Sequence, residues 1–540
     1  MSGKRYINIL LCALLLPIMV SAADFTDIGE EDTRGMLNLS ATFTGLGSTG
    51  DWAPYFIGSN SEGRHAMKSF AGVTAKAYVD YDLNRRFSWT AGVDVAAGYQ
   101  ASAQYELYNP ETTEWSSRAW HPSYATVYRL WAGLKFRGVM LWAGMRDHKS
   151  NILDDMLTSG DLILSNNARA IPQIEIGFVD FQNIPFTNGW AQINGTISYG
   201  KYTDDGSLKG RYNYWNNHIT LGQLFTYKHV HFRSRQDMPF AVTIGMQVGG
   251  EYGGTTYQYD RGKLVRTIKN NQNLRSLWEM FFPTSRYSDG FMEGNHVGTW
   301  EFLGRYSFDN EAEVSAYFEW FWEDGSGMAK RNRLDGLWGL SFTLPGQYSP
   351  LKKVVVEYID FRDQSGPLHW APTDAPGTSI GTEATGGDNY YNSSGFNSWS
   401  NYGLGLGSPF PVSPLYNHDG YSQYKHNRTH GFHIAATGFA GRNVMWLAKF
   451  SYGAAWGAGR VPFAETLKNT SALLTADWRA DMLLKGLSLG ASVAFDTGTL
   501  RGNNFGAILN VTYSTRFDID GNHPGKKKKI QRQWKSIRFL

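Results

Sequence analysis

The sequence predicts an all-β protein: a transmembrane β-barrel of the outer membrane with roughly 16–18 antiparallel strands, its lumen partly filled by irregular segments. Long runs alternate between apolar and polar residues, and the chain begins with a secretory-type signal. Aromatic residues make up 15% of the chain, which also contains 60 glycines. A membrane barrel needs an apolar outer face, a polar lumen and aromatic residues at both interfaces, so this composition favours the barrel over a soluble sheet.

The clearest alternation lies between Leu487 and Arg516, which predicts two strands. In residues 487–495 one face carries Leu, Leu, Ala, Val and Phe, and the other carries Ser, Gly, Ser and Ala. Residues 505–513 repeat the pattern after a polar break, with Ile508 as the one apolar residue on the polar face. Successive side chains of a strand point to opposite faces, so one side is expected to meet lipid and the other the lumen.

Short turns separate further pairs of strands. The alternating runs 73–82 and 87–96 flank Asn84–Arg85, and a second hairpin is predicted to turn at Arg137–Gly138. Outer-membrane barrels keep short turns on the periplasmic side and long loops outside, so both turns are expected at the periplasmic end.

Three stretches break the alternation. Residues 151–172 are polar and are interpreted as structured chain inside or at the rim of the barrel. Residues 255–290 are too long for a simple turn and are a second candidate to fill the pore. Residues 364–427, rich in Gly, Ser, Asn, Tyr and Pro, are predicted to form an extracellular loop.

The ends of the chain are assigned separately from the barrel, which is predicted over residues 35–517. Residues 1–22 have the basic start, apolar middle and small-residue end of a signal peptide. Residues 23–34 form an acidic leader, and residues 518–540 form a basic tail that is predicted to be periplasmic. The only cysteine, Cys12, lies in the signal, so the mature chain has neither a disulfide nor a thiolate metal site.

Motifs of catalysis are missing from the sequence. It contains no nucleophile elbow, zinc-protease motif, P-loop or dinucleotide fingerprint. His229 and His231 share one strand face without a third ligand at a readable spacing. Glu319, Glu323 and Glu357 offer carboxylates of the type that glycosidases use, but charged lumen residues are ordinary in barrels. No catalytic residue, metal site or cofactor is therefore predicted, and the net charge of +3 gives no reason to expect a nucleic-acid partner.

Several irregular stretches resemble the capsule-assembly Wzi family of outer-membrane proteins. The clearest runs from Ser159 to Pro172, Ser-Gly-Asp-Leu-Ile-Leu-Ser-Asn-Asn-Ala-Arg-Ala-Ile-Pro, and Glu293–Gly298 and Tyr402–Pro409 are also similar. The resemblance implies an outer-membrane barrel that helps to attach or assemble capsular polysaccharide at the cell surface, as a lectin and not as an enzyme. The basic tail and residues 255–290 depart from the family pattern.

Sugar-binding proteins place aromatic faces against sugar C–H groups and amides or charges against hydroxyls and acid groups, and the 364–428 region has this inventory. With the resemblance, it suggests the following polysaccharide-binding residues: Trp370, Tyr390, Tyr391, Trp399, Asn401, Tyr416, Asp419, Tyr421, Lys425 and Arg428. The family-motif residues Ser165, Asn167, Arg169 and Pro172 are interpreted as structural, because a buried Arg–polar network can hold an inner loop in place. The expected partners are capsular polysaccharide, outer-membrane lipids and the capsule export machinery.

Two other classes of function stay open at this stage. A porin or substrate-specific channel requires an open lumen lined with charge. A barrel hydrolase requires a Ser–His pair at one rim, and nothing among the 13 histidines singles out such a pair.

Overall fold

The computed structural model describes residues 36–282, 293–328, 330–366, 387–458 and 461–519. The predicted signal peptide and acidic leader, almost all of the basic tail, and Trp370 lie outside the described residues.

Eighteen antiparallel strands form one closed barrel, in which each strand pairs with its sequence neighbours and the first pairs with the last. This confirms the predicted fold class. The strands are β1 Met36–Trp52, β2 Met67–Val79, β3 Phe87–Gln100, β4 Ala125–Phe136, β5 Val139–Met145, β6 Gln173–Phe178 continued by Gln182–Asn183, β7 Ala191–Lys201, β8 Leu224–Ser234, β9 Phe240–Tyr252, β10 Asn295–Ser307, β11 Glu313–Trp322, β12 Gly336–Thr343, β13 Lys353–Asp360, β14 Thr429–Phe439, β15 Val444–Ala458, β16 Val461–Arg479, β17 Leu487–Gly498 and β18 Asn504–Asp518.

Smaller elements lie in the connections between barrel strands. They are the hairpin Ala103–Asn109 with Glu114–Trp120, the sheet Asn216–Leu221, Thr255–Asp260 and Lys263–Lys269, the ribbon Ser400–Asn401 with Leu404–Gly405, the helices Tyr55–Gly58, Asp205–Arg211, Leu274–Phe281 and Gly325–Met328, and the 3-10 turn Pro414–Tyr416. Each helix in the described ranges is too short or too polar to cross a membrane.

The outer face of the wall is apolar, as the alternation predicts. Leu509 of β18 is 63% exposed, and Val493 of β17 also points outward, whereas Ala494 and Asp496 are buried inside. Ile508, the residue that broke the pattern, packs inside the barrel against Ile57 and its neighbours. Its apolar side chain therefore fits the lumen because a connecting loop covers it.

The two ends of the barrel differ. Short turns, among them the predicted Arg137–Gly138, join the strands at one end, and exposed aromatic residues such as Phe87, Phe136 and Phe240 surround that end. All long connections leave from the other end. By the usual arrangement of outer-membrane barrels, the short-turn end is periplasmic and the loop end is extracellular.

The lumen is filled by two irregular segments that fold back from the loop end. The first inner segment is 146–172, and the second inner segment is 387–428. Their apolar side chains form one buried core with residues from the inside of the wall, such as Phe225, Phe321 and Val355. Irregular chain inside the barrel was predicted for the first inner segment and is confirmed.

Two assignments of the long connections were wrong. Most of the described part of 364–427 does not form a free extracellular loop: it is packed in the barrel core, because its aromatic residues find apolar partners there. In the other case, the described part of 255–290 contributes a hairpin with the exposed residues Leu264 and Val265 instead of filling the pore.

Candidate functional site

Carboxylates on the barrel wall hold the first inner segment. Glu357 accepts hydrogen bonds from the Thr158 hydroxyl and the Ser159 N–H, each at 2.7 Å, and from the Tyr317 hydroxyl at 2.7 Å. Glu319 accepts from the Leu162 N–H at 2.9 Å. Hydrogen bonds to a charged acceptor in a buried setting are strong, so these wall residues fix the segment across the lumen.

A third carboxylate reaches the second inner segment. Glu323, just beyond β11, accepts a hydrogen bond from the Tyr391 N–H at 2.5 Å. The three glutamates that were considered as glycosidase candidates are thus each bound to an inner segment.

The family-motif residues lie where the two inner segments meet. The Ser165 hydroxyl donates to the Gly407 carbonyl at 2.7 Å, and the Asn167 amide donates to the Gly405 carbonyl at 3.0 Å. Asn401 donates back to the Arg169 carbonyl at 2.8 Å. Pro172 ends the segment, and its carbonyl accepts from the Lys201 N–H at 3.1 Å.

Two cavities flank the contact between the inner segments. One, of about 410 Å³, reaches the short-turn end, where Leu83 and Phe178 line it. The other, of about 390 Å³, lies toward the loop end and is called here the loop-end cavity. Glu62 and Arg169 line both cavities, so the two meet at this pair of residues.

The loop-end cavity is lined by aromatic rings and by small polar side chains. The rings belong to Trp120, Tyr128 and Tyr402, and the polar residues include Gln100 and Ser207. Trp120 ends the 103–120 hairpin, and its ring faces the Arg211 guanidinium at 5.2 Å. Aromatic faces beside hydrogen-bonding groups are what a polar ring-shaped ligand needs.

Tyr402 is held in an unfavourable backbone conformation. Tyr402 and Gly403 connect the paired residues Asn401 and Leu404, with φ of 54° and 84°. These angles fit a type I′ turn, for which Asn-Gly is the favoured pair, and a bulky residue at positive φ is uncommon. The Tyr402 N–H donates to Asp204 at 2.9 Å, which fixes the turn.

The loop-end cavity is lined by the charged side chains of Glu62, which is ion-paired with Arg129, and of Arg169. The guanidinium carbon of Arg169 lies 4.0 Å from the centre of the Tyr402 ring and 5.1 Å from that of Tyr128. Within the described part of the chain Arg169 forms no ion pair, and its buried Nε has no hydrogen-bond partner. Nearby, burial raises the pKa of Asp204 to about 6, although the hydrogen bond from Tyr402 opposes the shift.

The structure corrects four of the predicted sugar-binding residues. Tyr390, Tyr391, Trp399 and Asn401 are 0% exposed. Tyr390 and Tyr391 pack on Phe321, and Trp399 stacks on Phe225 with its indole N–H bound to the Ile163 carbonyl. With no exposed face, these side chains stabilise the core and have no surface to offer a sugar.

The remaining predicted sugar-binding residues fall into two groups. Asp419 and Lys425 form an ion pair, with the Lys425 ammonium 5.5 Å from the centre of the Tyr421 ring. Tyr416 packs edge-on against Trp52, and Arg428 donates to the Arg362 carbonyl at 2.8 Å. None of these five lines the loop-end cavity.

Sequence reasoning therefore missed most of this cavity. The sequence analysis gave Trp120 no role, and it gave Arg169 a structural role alone. The one local signal was Tyr402-Gly403, a two-residue turn that should have carried Asn-Gly. The other lining residues come from distant parts of the chain and share no sequence pattern.

Comparison with known proteins gives matches to structures alone. No family model and no curated protein matches this sequence. Among solved structures, the Wzi protein of Escherichia coli, described as a carbohydrate-binding β-barrel of the outer membrane involved in group 1 capsule assembly, matches with a TM-score of 0.52 and 11% identity. The match covers 87% of this chain and 83% of that one.

The chain is an integral outer-membrane β-barrel with a Wzi-like fold. Two further barrels match less well: OccAB2 of Acinetobacter baumannii, with a TM-score of 0.43 and 11% identity, and OccK8 (OprE) of Pseudomonas aeruginosa, with 0.42 and 8%. Each match covers 89% of this chain and 98% of the other. At such identities the likeness shows the fold and leaves the function to the chemistry of the site.

Proposed function

We propose that this barrel binds an acidic polysaccharide at the cell surface, that its ligand is capsular polysaccharide, and that it attaches or assembles this polymer without catalysing a reaction. The observation that supports this proposal most is the pairing of a filled lumen with the aromatic loop-end cavity. A barrel that passes solutes needs free cross-section, whereas a barrel that holds a polymer needs a fixed surface.

The lining of the loop-end cavity suits a sugar in detail. The Trp120 and Tyr402 rings provide apolar faces for sugar C–H groups, and Gln100, Thr203 and Ser207 provide hydrogen-bonding groups. Arg169, which has no ion pair within the described residues, adds a cation for the carboxylate of a uronic acid. The carbohydrate binding of the Escherichia coli barrel with the same fold supports this choice.

Point substitutions in the loop-end cavity test the proposal. Trp120→Ala is expected to weaken binding of the isolated polysaccharide to the purified protein about tenfold, because one stacked ring contributes about 1.4 kcal/mol. In cells, the same variant should release polysaccharide into the medium while total synthesis stays constant.

Trp115→Ala is the matched control. Trp115 lies on the same hairpin and is 50% exposed, but it does not line the cavity. If both variants bind like the wild type, the loop-end cavity is not the sugar site. If cells without the protein retain all their polysaccharide, the capsule role is wrong.

The second candidate function is a substrate-specific channel. It is favoured by one observation: the two cavities meet at Glu62 and Arg169, from opposite ends of the barrel. A channel predicts measurable conductance in planar bilayers that rises when Glu62 or Arg169 is replaced by Ala. A binding protein predicts a closed baseline in the wild type.

A further inference from the structure

Three buried carboxylates meet between the first inner segment and the wall. Asp161 belongs to the first inner segment, Glu301 to β10 and Glu319 to β11. One oxygen of each lies within 4.8 Å of the others, and all three side chains are buried. The cluster is distinct from the loop-end cavity, since none of its members lines that cavity.

The hydrogen bonds around the cluster leave one oxygen open. Asp161 accepts from the Ile163 N–H at 2.8 Å and from the Gln247 amide at 2.8 Å. Glu301 accepts from the Thr299 hydroxyl and contacts His231.

Glu319 is 0% exposed, and the Leu162 N–H donates to its Oε2. Within the described ranges no N–H or hydroxyl donates to its Oε1, and the neighbouring carboxyl of Asp161 lies within hydrogen-bonding reach of the side chain. A buried carboxylate oxygen without a donor is costly, and this one belongs to a residue of the cluster itself.

The charge of the cluster is also left without an adequate counterion. Among the described residues, neither a lysine nor an arginine lies within ion-pair distance of Asp161, Glu301 or Glu319. The cationic candidates are two imidazoles, His231 against Glu301 and His148 at 3.9 Å from Asp161. Buried carboxylates need a cation, a full set of donors or a proton to offset their desolvation.

We propose that Asp161, Glu301 and Glu319 bind a hard divalent cation of the Ca²⁺ type. Carboxylate oxygens are the ligands that Ca²⁺, Mg²⁺ and Mn²⁺ prefer. Two oxygens bound to one Ca²⁺ ion lie no more than about 4.6–5.2 Å apart, and the three oxygens of this cluster lie within 4.8 Å of one another. His231 would orient the Glu301 carboxylate from outside the ligand set, as residues behind metal ligands commonly do.

The ion would join the first inner segment to two wall strands. Glu319 and Gln247 already bind this segment by hydrogen bonds, and an ion at Asp161 adds a charge-based link at the same point. The 410 Å³ cavity approaches the cluster, since His148, which lies 3.9 Å from Asp161, is part of its lining. This inference does not depend on the sugar-binding proposal.

Elemental analysis tests the site. The full-length protein is purified from membranes without chelators, beside Glu319→Gln, which keeps the side-chain shape and removes the charge. We expect the wild type to carry one equivalent of Ca²⁺, Mg²⁺ or Mn²⁺ more than the variant, which also serves as the baseline for ions carried by bound lipopolysaccharide.

Glu251→Gln is the matched control for loss of a buried wall carboxylate. Glu251 is fully buried on β9 and accepts from Tyr202, Gln223 and Asn295, outside the cluster. The Glu251→Gln variant should therefore retain the divalent cation. Thermal unfolding of the wild type provides a measurement that does not depend on any variant: EDTA should lower the midpoint, and CaCl₂ or MnCl₂ should restore it.

Three results would overturn the proposal. The first is equal metal content in the wild type and Glu319→Gln. The second is a wild-type melting curve that neither EDTA nor any of these cations changes, which would mean that shared protons hold the carboxylates together. The third is binding of Zn²⁺ alone, which would point to an imidazole site instead.

Discussion

The barrel wall and the two inner segments are held by different interactions. The wall is a ladder of backbone hydrogen bonds with one face toward lipid, and on that face polarity and depth decide which residues fit. The inner segments have little regular structure, and single side chains such as Glu319, Glu323 and Glu357 hold them in place. Substitutions of the side chains that hold an inner segment should therefore act locally and strongly, whereas substitutions on the lipid face of the wall should act according to polarity and depth.

The largest effect is expected for Glu357→Ala. The change leaves Thr158, Ser159 and Tyr317 without their buried acceptor, so unfolding of the interior should become easier by about 3 kcal/mol or more. Far-ultraviolet circular dichroism should stay constant because the wall is intact, while protease sensitivity of the first inner segment rises. Glu357→Gln, which retains an acceptor, should lose less. An equal loss in both variants would mean that charge, not hydrogen bonding, holds the segment.

A lipid-facing substitution tests the wall. Leu509→Arg places a charge on the apolar outer face and is expected to cost about 2–4 kcal/mol in urea unfolding from vesicles. The matched change Thr512→Arg lies on the other face of the same strand and should cost less than about 1 kcal/mol. Equal costs would contradict the assignment of the two faces.

Asp204, in the connection between β7 and β8, adds a pH dependence to the stability of the loop end. Its folded-state pKa, raised by burial to about 6, exceeds the value of 3.8 expected when unfolded. The folded state then binds the proton more tightly, so this contribution to stability is complete below about pH 4 and is lost as the pH rises through about 6. Asp204 should contribute a loss on the order of 1–3 kcal/mol over this range in thermal unfolding, and Asp204→Asn should reduce the pH dependence by that amount. A parallel pH profile for the variant would assign the effect to other groups.

The smallest change in stability, with a clear functional effect, is expected for Tyr402→Asn. Asn-Gly is the preferred pair for a type I′ turn, so the variant should gain about 0.5–1 kcal/mol in thermal unfolding. It should also lose polysaccharide affinity, because the ring over Arg169 is gone. A variant that is more stable and binds normally would show that the strained tyrosine has no role in the loop-end cavity.

Much of the wall could be predicted from sequence. The hairpin at Arg137–Gly138 and the outward residues of β17 and β18 were assigned correctly, since lipid and lumen impose a period of two on each strand. Ile508, the one apolar residue on the polar face, was recognised as an exception from the sequence. The loop that buries it became apparent only in the structure.

The interior could not be predicted in the same way. The composition of residues 387–428 fits an exposed sugar-binding loop and a buried plug equally well. Whether Tyr390 stacks on a ligand or on Phe321 depends on a partner far away in sequence. For the same reason, Asp161, Glu301 and Glu319 gave no metal-binding pattern, because 140 or more residues separate Asp161 from each of the other two.

The sequence by itself determined the compartment expected for the chain, the barrel and the direction in which each strand faces, because these follow from local periodicity and composition. Tertiary structure alone decided which irregular segments fill the lumen, which aromatic rings remain accessible and which carboxylates meet. Those outcomes depend on contacts between distant residues, and burial there changes the role of a side chain without changing its identity.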